Sequence, residues 1–155
     1  MPTSKRAASS KPANPLLLRE QLCFALYSTM LGMNKVYRKL LRELGVTYPQ
    51  YLVLLVLWEH EALTVSEIGE QVFLDSATLT PLLKRMEVQG LLVRTRAKSD
   101  ERQVIVSLTG QGQELKRRAK AVPEGVFCAT ECTLDELASM RDQLLQLRDK
   151  LFKNA

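Results

Sequence analysis

Hydrophobic positions change their period along this chain, and the changes predict its elements. From Pro15 to about Leu44 apolar residues fall on more than one helical face: Leu16, Leu17, Leu18, Leu22, Phe24, Leu26, Met30 and Leu31. A helix of that kind is covered by protein on most sides, which in a short chain predicts a partner subunit. Asn14-Pro15 opens it as N-cap and first helical residue, and Gly45 closes it. Thr47-Tyr48-Pro49-Gln50 reads as a capping box for a buried helix ending near Glu59. Leu63–Phe73 is predicted as a short helix after a start signal at Thr64. Asp75 caps another, Ser76–Gln89, stopped by Gly90. The period then shortens to two over Leu91–Ala97 and Gln103–Leu108, as strands require, with Lys98–Arg102 as the turn. A helix over about Gly110–Ala121 follows. Pro123 and Gly125 predict an irregular segment over Val122–Cys132. Thr133-Leu134-Asp135-Glu136 is a second capping box. Its helix carries Leu137, Met140, Leu144, Leu147 and Leu151 at heptad-like spacing, fit for a partner helix or for the chain's own core.

The fold class is therefore mainly α with a small β-hairpin. Residues 47–109 read as a winged helix-turn-helix, residues 14–46 and 110–155 as dimerisation helices, and residues 1–13, rich in Ser, Ala, Lys and Pro, as a disordered arm. We expect one compact subunit paired with a second copy.

Length and charge sharpen this picture. The chain has 155 residues and a formal net charge of +5, which leans towards a polyanionic partner. The excess is local: six basic residues face three acidic ones between Lys84 and Arg102, whereas the stretch from Thr133 to Ala155 has four of each. No apolar run reaches the ~18 residues that span a bilayer, and no signal-peptide pattern follows the basic start. A cytoplasmic location without membrane attachment is expected. Three cysteines make an odd number, which fits free thiols in a reducing compartment.

The candidate reading element is the helix after Asp75. Leu79, Leu82, Leu83 and Met86 fall on its core side. Ser76, Thr78 and Thr80 put short hydroxyls near its N-terminus, where this motif meets base edges and where a helix end attracts phosphate. Lys84 and Arg85 suit phosphate clamping. Pro81 removes one helical hydrogen bond and predicts a kink. Arg94 and Arg96 share one face of the first strand. Asp100 and Arg102 sit at the turn, where an arginine held by a carboxylate can enter a minor groove. A solvated, charged surface would carry the same residues, and the hairpin beside the helix favours DNA.

The candidate chemistry is a thiol. Cys23 is predicted about two turns into the first helix, beyond the reach of its dipole. It is either a small buried hydrophobe or a reactive sulfur. Cys23, Tyr27, Met30, Asn34 and Tyr37 share one helical stripe. Tyr37 is about 21 Å from Cys23 along an unbroken helix, so the two meet only if an antiparallel partner helix brings them together. Tyr48 can arrive from the same side. Phenols donating to sulfur favour the thiolate.

Leu74–Leu91, read as Leu-Asp-Ser-Ala-Thr-Leu-Thr-Pro-Leu-Leu-Lys-Arg-Met-Glu-Val-Gln-Gly-Leu, followed by Asp-Glu-Arg-Gln-Val-Ile-Val-Ser-Leu-Thr at Asp100–Thr109, resembles the MarR type of bacterial transcription regulator. The resemblance implies a homodimeric repressor on palindromic operator DNA, with Asp100 and Arg102 as the wing pair. Cys23 with Tyr27, Tyr37 and Tyr48 resembles the organic-hydroperoxide-resistance (OhrR) branch in its two-cysteine version. That resemblance makes Cys23 the peroxide-reactive thiol and Tyr37 and Tyr48 its hydrogen-bond donors across the dimer. It implies a sulfenic acid resolved by a second thiol into an intersubunit disulfide. Cys128, in the irregular segment, is the expected resolving thiol, with Cys132, beside the Thr133 cap, in reserve. Release from DNA is expected when oxidation spoils the ~34–36 Å spacing of the two reading heads.

No cofactor is implied. One Cys-x3-Cys pair and the single histidine, His60, make a poor metal set, so no metal is expected. The alternatives are a MarR-type repressor released by a small aromatic ligand, a thiol peroxidase using Cys23, and a non-specific DNA-coating protein. The peroxidase leaves the basic hairpin unexplained, and the chain is expected not to be an enzyme.

Overall fold

Three helices start on the same device. Thr47 with Gln50, Thr64 with Glu67, and Thr133 with Glu136 each form a reciprocal capping box, the threonine side chain accepting one backbone N–H and the N3 side chain another. Each box satisfies donors that a helix end otherwise leaves open. Two more helices start on a single side-chain acceptor, Asp75 and Thr109. These caps set the boundaries of most elements in the computed structural model, which describes residues 14–155. The disordered arm expected over 1–13 lies outside the described residues.

The chain divides into two compact units, one ending at Lys35 and one running from Val36 to Ala155. In the first, Asn14 Oδ1 accepts the Leu16 N–H at 3.0 Å and a 3-10 turn spans Leu18–Glu20. The first α-helix, α1, is Leu22–Leu41, so it belongs to this unit only up to Lys35. The expected single helix from Pro15 to Leu44 is therefore corrected at both ends. Asn14 closes a local turn instead of a helical one, and Arg42–Leu44 tightens to 3-10 before Gly45, whose φ of 68° ends the run. The start matters for chemistry, because Cys23 is the second residue of α1 and not two turns in. Leu22, Phe24, Leu26, Tyr27, Met30 and Leu31 are all exposed.

The second unit holds the core. Helix α2, Tyr48–Glu59, buries Tyr51, Val53, Leu54, Val56 and Leu57, because its apolar residues leave no polar face to turn outward. Helix α3, Val65–Val72, and helix α4, Ser76–Val88, form the helix-turn-helix. The turn is tight. A Cβ on Gly69 would lie 2.7 Å from the Leu74 carbonyl oxygen, so only glycine fits there. Phe73 takes the left-handed conformation that reverses the chain. Helix α4 runs unbroken through Pro81 and buries Leu79, Leu82, Leu83 and Met86, the side read from the sequence.

The hairpin is β2, Leu92–Arg96, with β3, Val104–Leu108. The structure adds a third strand, β1, Ala62–Thr64, which pairs antiparallel with β3 and gives the order β1-β3-β2. The predicted helix start at Thr64 holds, but the residues before it are strand, too short for a period to register. Across the sheet Leu63 pairs with Val106 and Arg94 with Val106 on the other side.

Helix α5, Gly110–Ala119, leads into α6, Ala121–Thr130. The irregular segment expected over Val122–Cys132 is thus a helix for most of its length. Pro123 falls in the first turn of α6, where its missing N–H costs nothing. Gly125 is a packing residue: a Cβ there would lie 2.6 Å from Leu40 Cδ2. Helix α7, Leu134–Lys153, buries no residue. Its far end returns to the helix-turn-helix, where Phe152 lies 5.3 Å from Phe73 between ring centroids and the Arg148 guanidinium sits 4.8 Å above the Phe73 ring.

Candidate functional site

The start of α4 is built for exposure at one side and anchorage at the other. Asp75 Oδ1 accepts the Thr78 N–H at 2.7 Å, and that bond holds its carboxyl below the usual carboxylate range. The Ser76 and Thr78 side chains stand exposed beyond the cap, and Thr80 is half-buried. Ser76 and Thr80 share a cleft of about 270 Å³ with Thr64, Ser66, Arg102 and Gln103. The structure thus gathers two of the three predicted hydroxyls and the predicted wing arginine around one opening. Lys84 and Arg85 are exposed and line a separate hollow with Val88.

The hairpin arginines divide by role. Arg94 lies on the core side of β2, opposite buried Val106. Its guanidinium meets Glu87 of α4 at 2.8 and 3.1 Å, and its backbone N–H donates to the same carboxylate at 3.0 Å. The Arg94 side chain is 22% exposed, and its pairing holds the Glu87 carboxyl low. Arg94 thus pins the wing to the reading helix. Arg96 donates to the Glu101 carbonyl at 3.0 Å and braces the tip.

The expected pair between the Asp100 carboxylate and the Arg102 guanidinium is corrected. The Asp100 side chain accepts the Arg102 backbone N–H at 3.0 Å, and among the described residues no ion pair joins it to the Arg102 guanidinium. Asp100 folds the turn, and the Arg102 guanidinium stays free of partners within the described chain.

The tyrosines sort by environment. Tyr37, on the last turns of α1, stacks on Tyr48 with centroids 4.3 Å apart and lies 5.9 Å from Tyr51. Burial, then the nearby phenols of Tyr48 and Tyr51, pushes Tyr37 up to about 12. Burial also raises Tyr48 and Tyr51 above the ordinary phenol value. These groups therefore stay neutral hydrogen-bond donors at physiological pH. Tyr51 was not among the residues singled out from the sequence, where it reads as one more apolar position of α2. Tyr27, in the first unit, is 62% exposed and pairs loosely with Phe24.

All three thiols are free. Cys23 is exposed in the first turn of α1, not two turns in as expected. Cys128 is exposed on the last turn of α6, and the Cys132 thiol donates to the Thr130 carbonyl at 3.3 Å. Among the described residues no cluster of three or more metal-ligating side chains occurs, and no single helix is long and apolar enough to cross a membrane.

A helix-turn-helix followed by a short antiparallel sheet, with hydroxyls and a free arginine around one opening, defines a winged-helix DNA-binding regulator. Residues 35–119 match the family model described as transcriptional regulator SarA/Rot. The chain is 48% identical over 134 residues to the organic hydroperoxide resistance transcriptional regulator of Bacillus subtilis, spanning 86% of this chain and 91% of that one. Reduced AbfR bound to DNA, AbfR being a Staphylococcus epidermidis protein, aligns at 40% identity with a TM-score of 0.72 over 87% of this chain and 94% of that one. AbfR with its disulfide formed aligns at 40% identity with a TM-score of 0.61, over 84% and 91%. The chain belongs to the MarR-type family of transcription regulators, in its organic-hydroperoxide-resistance branch. These matches are transcription regulators, not enzymes.

Proposed function

We propose that the chain is a homodimeric repressor that holds operator DNA while Cys23 is reduced and lets go when an organic hydroperoxide oxidises it. The observation that carries the reading is the Tyr37–Tyr48 pair: two phenols with ring centroids 4.3 Å apart, protonated as any phenol is at neutral pH and pushed further from ionising by burial. Such a pair is suited to donating to an anionic sulfur that a second copy presents. The Cys23 thiolate attacks the terminal oxygen of ROOH, the O–O bond breaks, and the alkoxide leaves as alcohol after taking a proton. The resulting sulfenic acid is attacked by a second thiolate, an S–S bond forms, and hydroxide leaves as water.

Cys128 is the preferred partner, because its thiol is exposed while that of Cys132 is tied to Thr130. The support is openness and not a loose segment, since α6 is helical. The exposed apolar neighbours of Cys23, Leu22 and Phe24, favour organic over hydrogen peroxide. Ser76, Thr78, Thr80, Lys84, Arg85 and Arg102 form the reading surface, with Arg94, Arg96 and Asp100 shaping it.

The test joins an operator-shift assay to a non-reducing gel after cumene hydroperoxide. Cys23→Ser should bind operator and ignore peroxide, and Cys128→Ser should lose the linked dimer band. A Cys23→Ser protein still released by peroxide sinks the reading, and equal thiol-oxidation rates for hydrogen peroxide and cumene hydroperoxide sink the preference.

A further inference from the structure

Gln50 is the one polar side chain buried among the described residues, at 4% exposure. A buried amide is tolerated only when its hydrogen bonds are made, and here they are made in a particular direction. Its Oε1 accepts the Thr47 N–H at 3.0 Å and completes the α2 cap. Its Nε2 donates to Gln89 Oε1 at 3.0 Å, and Gln89 Nε2 donates to the Gly45 carbonyl at 3.3 Å. Gln89 is the C-cap of α4, its N–H bonded to the Arg85 carbonyl.

The choice of glutamine is informative. A capping box needs only an acceptor at N3, and the other two boxes of this chain use Glu67 and Glu136. Position 50 alone carries an amide, whose extra donor reaches the tail of the reading helix. Tyr48 is the first residue of the helix that this cap starts, so the turn bearing a proposed sulfur-contacting phenol is tied through two amides to α4. Glu87, two residues earlier on α4, grips Arg94 of the wing. The same helix end thus holds both the sensor-side relay and the wing.

We propose that Gln50 and Gln89 are positioning residues that carry a displacement of the Tyr48 turn to the reading helix. This rests on the redox reading of Cys23. Their loss should leave Cys23 oxidation untouched and uncouple it from DNA release.

The experiment compares wild type, Gln89→Ala and Gln89→Glu. The glutamate keeps an acceptor for Gln50 Nε2, and the alanine does not. Gln89→Ala should bind operator when reduced, oxidise Cys23 at the wild-type rate, and compress the oxidised-to-reduced ratio of Kd about tenfold, within the usual range of allosteric coupling. Gln89→Glu should restore most of that ratio. A wild-type ratio in Gln89→Ala, or equal loss in both variants, overturns the relay. A second arm avoids peroxide altogether: a double-mutant cycle of Tyr48→Leu with Gln89→Ala, read on operator affinity of the reduced protein. Non-additive effects of roughly threefold or more support the relay, and additive ones overturn it. Wild-type protein that ignores peroxide while the cycle couples defeats the Cys23 reading and leaves the physical link standing.

Discussion

The reading head and the two chain ends are built on opposite terms. Every buried apolar side chain among the described residues lies between Leu41 and Val122. In the first unit Leu22, Leu26, Met30 and Leu31 stand exposed, and α7 exposes Leu144, Leu145 and Leu151 without burying a residue. The head closes a core within one chain, and the apolar stripes of the ends stay open. Apolar stripes that a chain leaves open mark surfaces for association, which is what the proposed dimer requires of the ends. In the proposed dimer the reading helix is held in a shape that its own core defines, while its distance from its twin would depend on the ends.

The largest effect that tests this contrast is a charge placed on the open stripes. Leu26→Glu with Leu144→Glu should leave the helical content of the head intact and give monomers by sedimentation. Operator affinity should fall roughly 10²–10⁴-fold as two linked contacts become one. A double variant that remains dimeric and binds normally would contradict that role of the ends. Next comes the converse change. Leu83→Ala, in a fully buried site of α4, should cost about 2–5 kcal/mol in urea unfolding, whereas Leu145→Ala on α7 should cost far less. Equal losses at the two sites would mean that the ends share the core of the head.

A smaller effect separates the arginines. Arg102→Ala should weaken operator binding by about 1–3 kcal/mol or lower the salt slope by about one, depending on whether the guanidinium meets a base or a phosphate. Arg94→Ala should instead loosen the wing, since its partner is Glu87, and the loss should appear equally in Glu87→Gln. If Arg94→Ala alone lowers the salt slope, the guanidinium leaves Glu87 for DNA.

The head was also the more legible region. Asp75, Thr47, Thr64 and Thr133 announce helix starts because capping is local chemistry between residues three apart, and the structure uses all four. The core side of α4 follows from Leu79, Leu82, Leu83 and Met86 in the same way. What was misread depends on contacts distant in sequence. Pro123 and Gly125 look like breakers until Leu40 is seen against Gly125. Arg94 reads as an unpaired strand arginine until the fold lays β2 against Glu87 of α4. The strand Ala62–Thr64 exists only because β3 pairs with it. Gln50 looks like an ordinary cap residue until Gln89 is found at its other end.

The smallest predicted effect concerns the tyrosines, and its sign follows from their burial. Tyr37 sits near 12 in the folded chain against about 10 when exposed, and Tyr48 and Tyr51 move the same way. Below about pH 10 both folded and unfolded chains keep these protons, so the phenols add no pH dependence there. Between roughly pH 10 and 12 the unfolded chain releases its protons first and binds fewer than the folded one, so stability falls as pH rises. Tyr37→Phe removes one such group and should make the alkaline decline shallower, read by urea midpoints at pH 9, 10.5 and 11.5. An unchanged slope would mean that the phenol is as open to water as in the unfolded chain, contrary to its stacking on Tyr48.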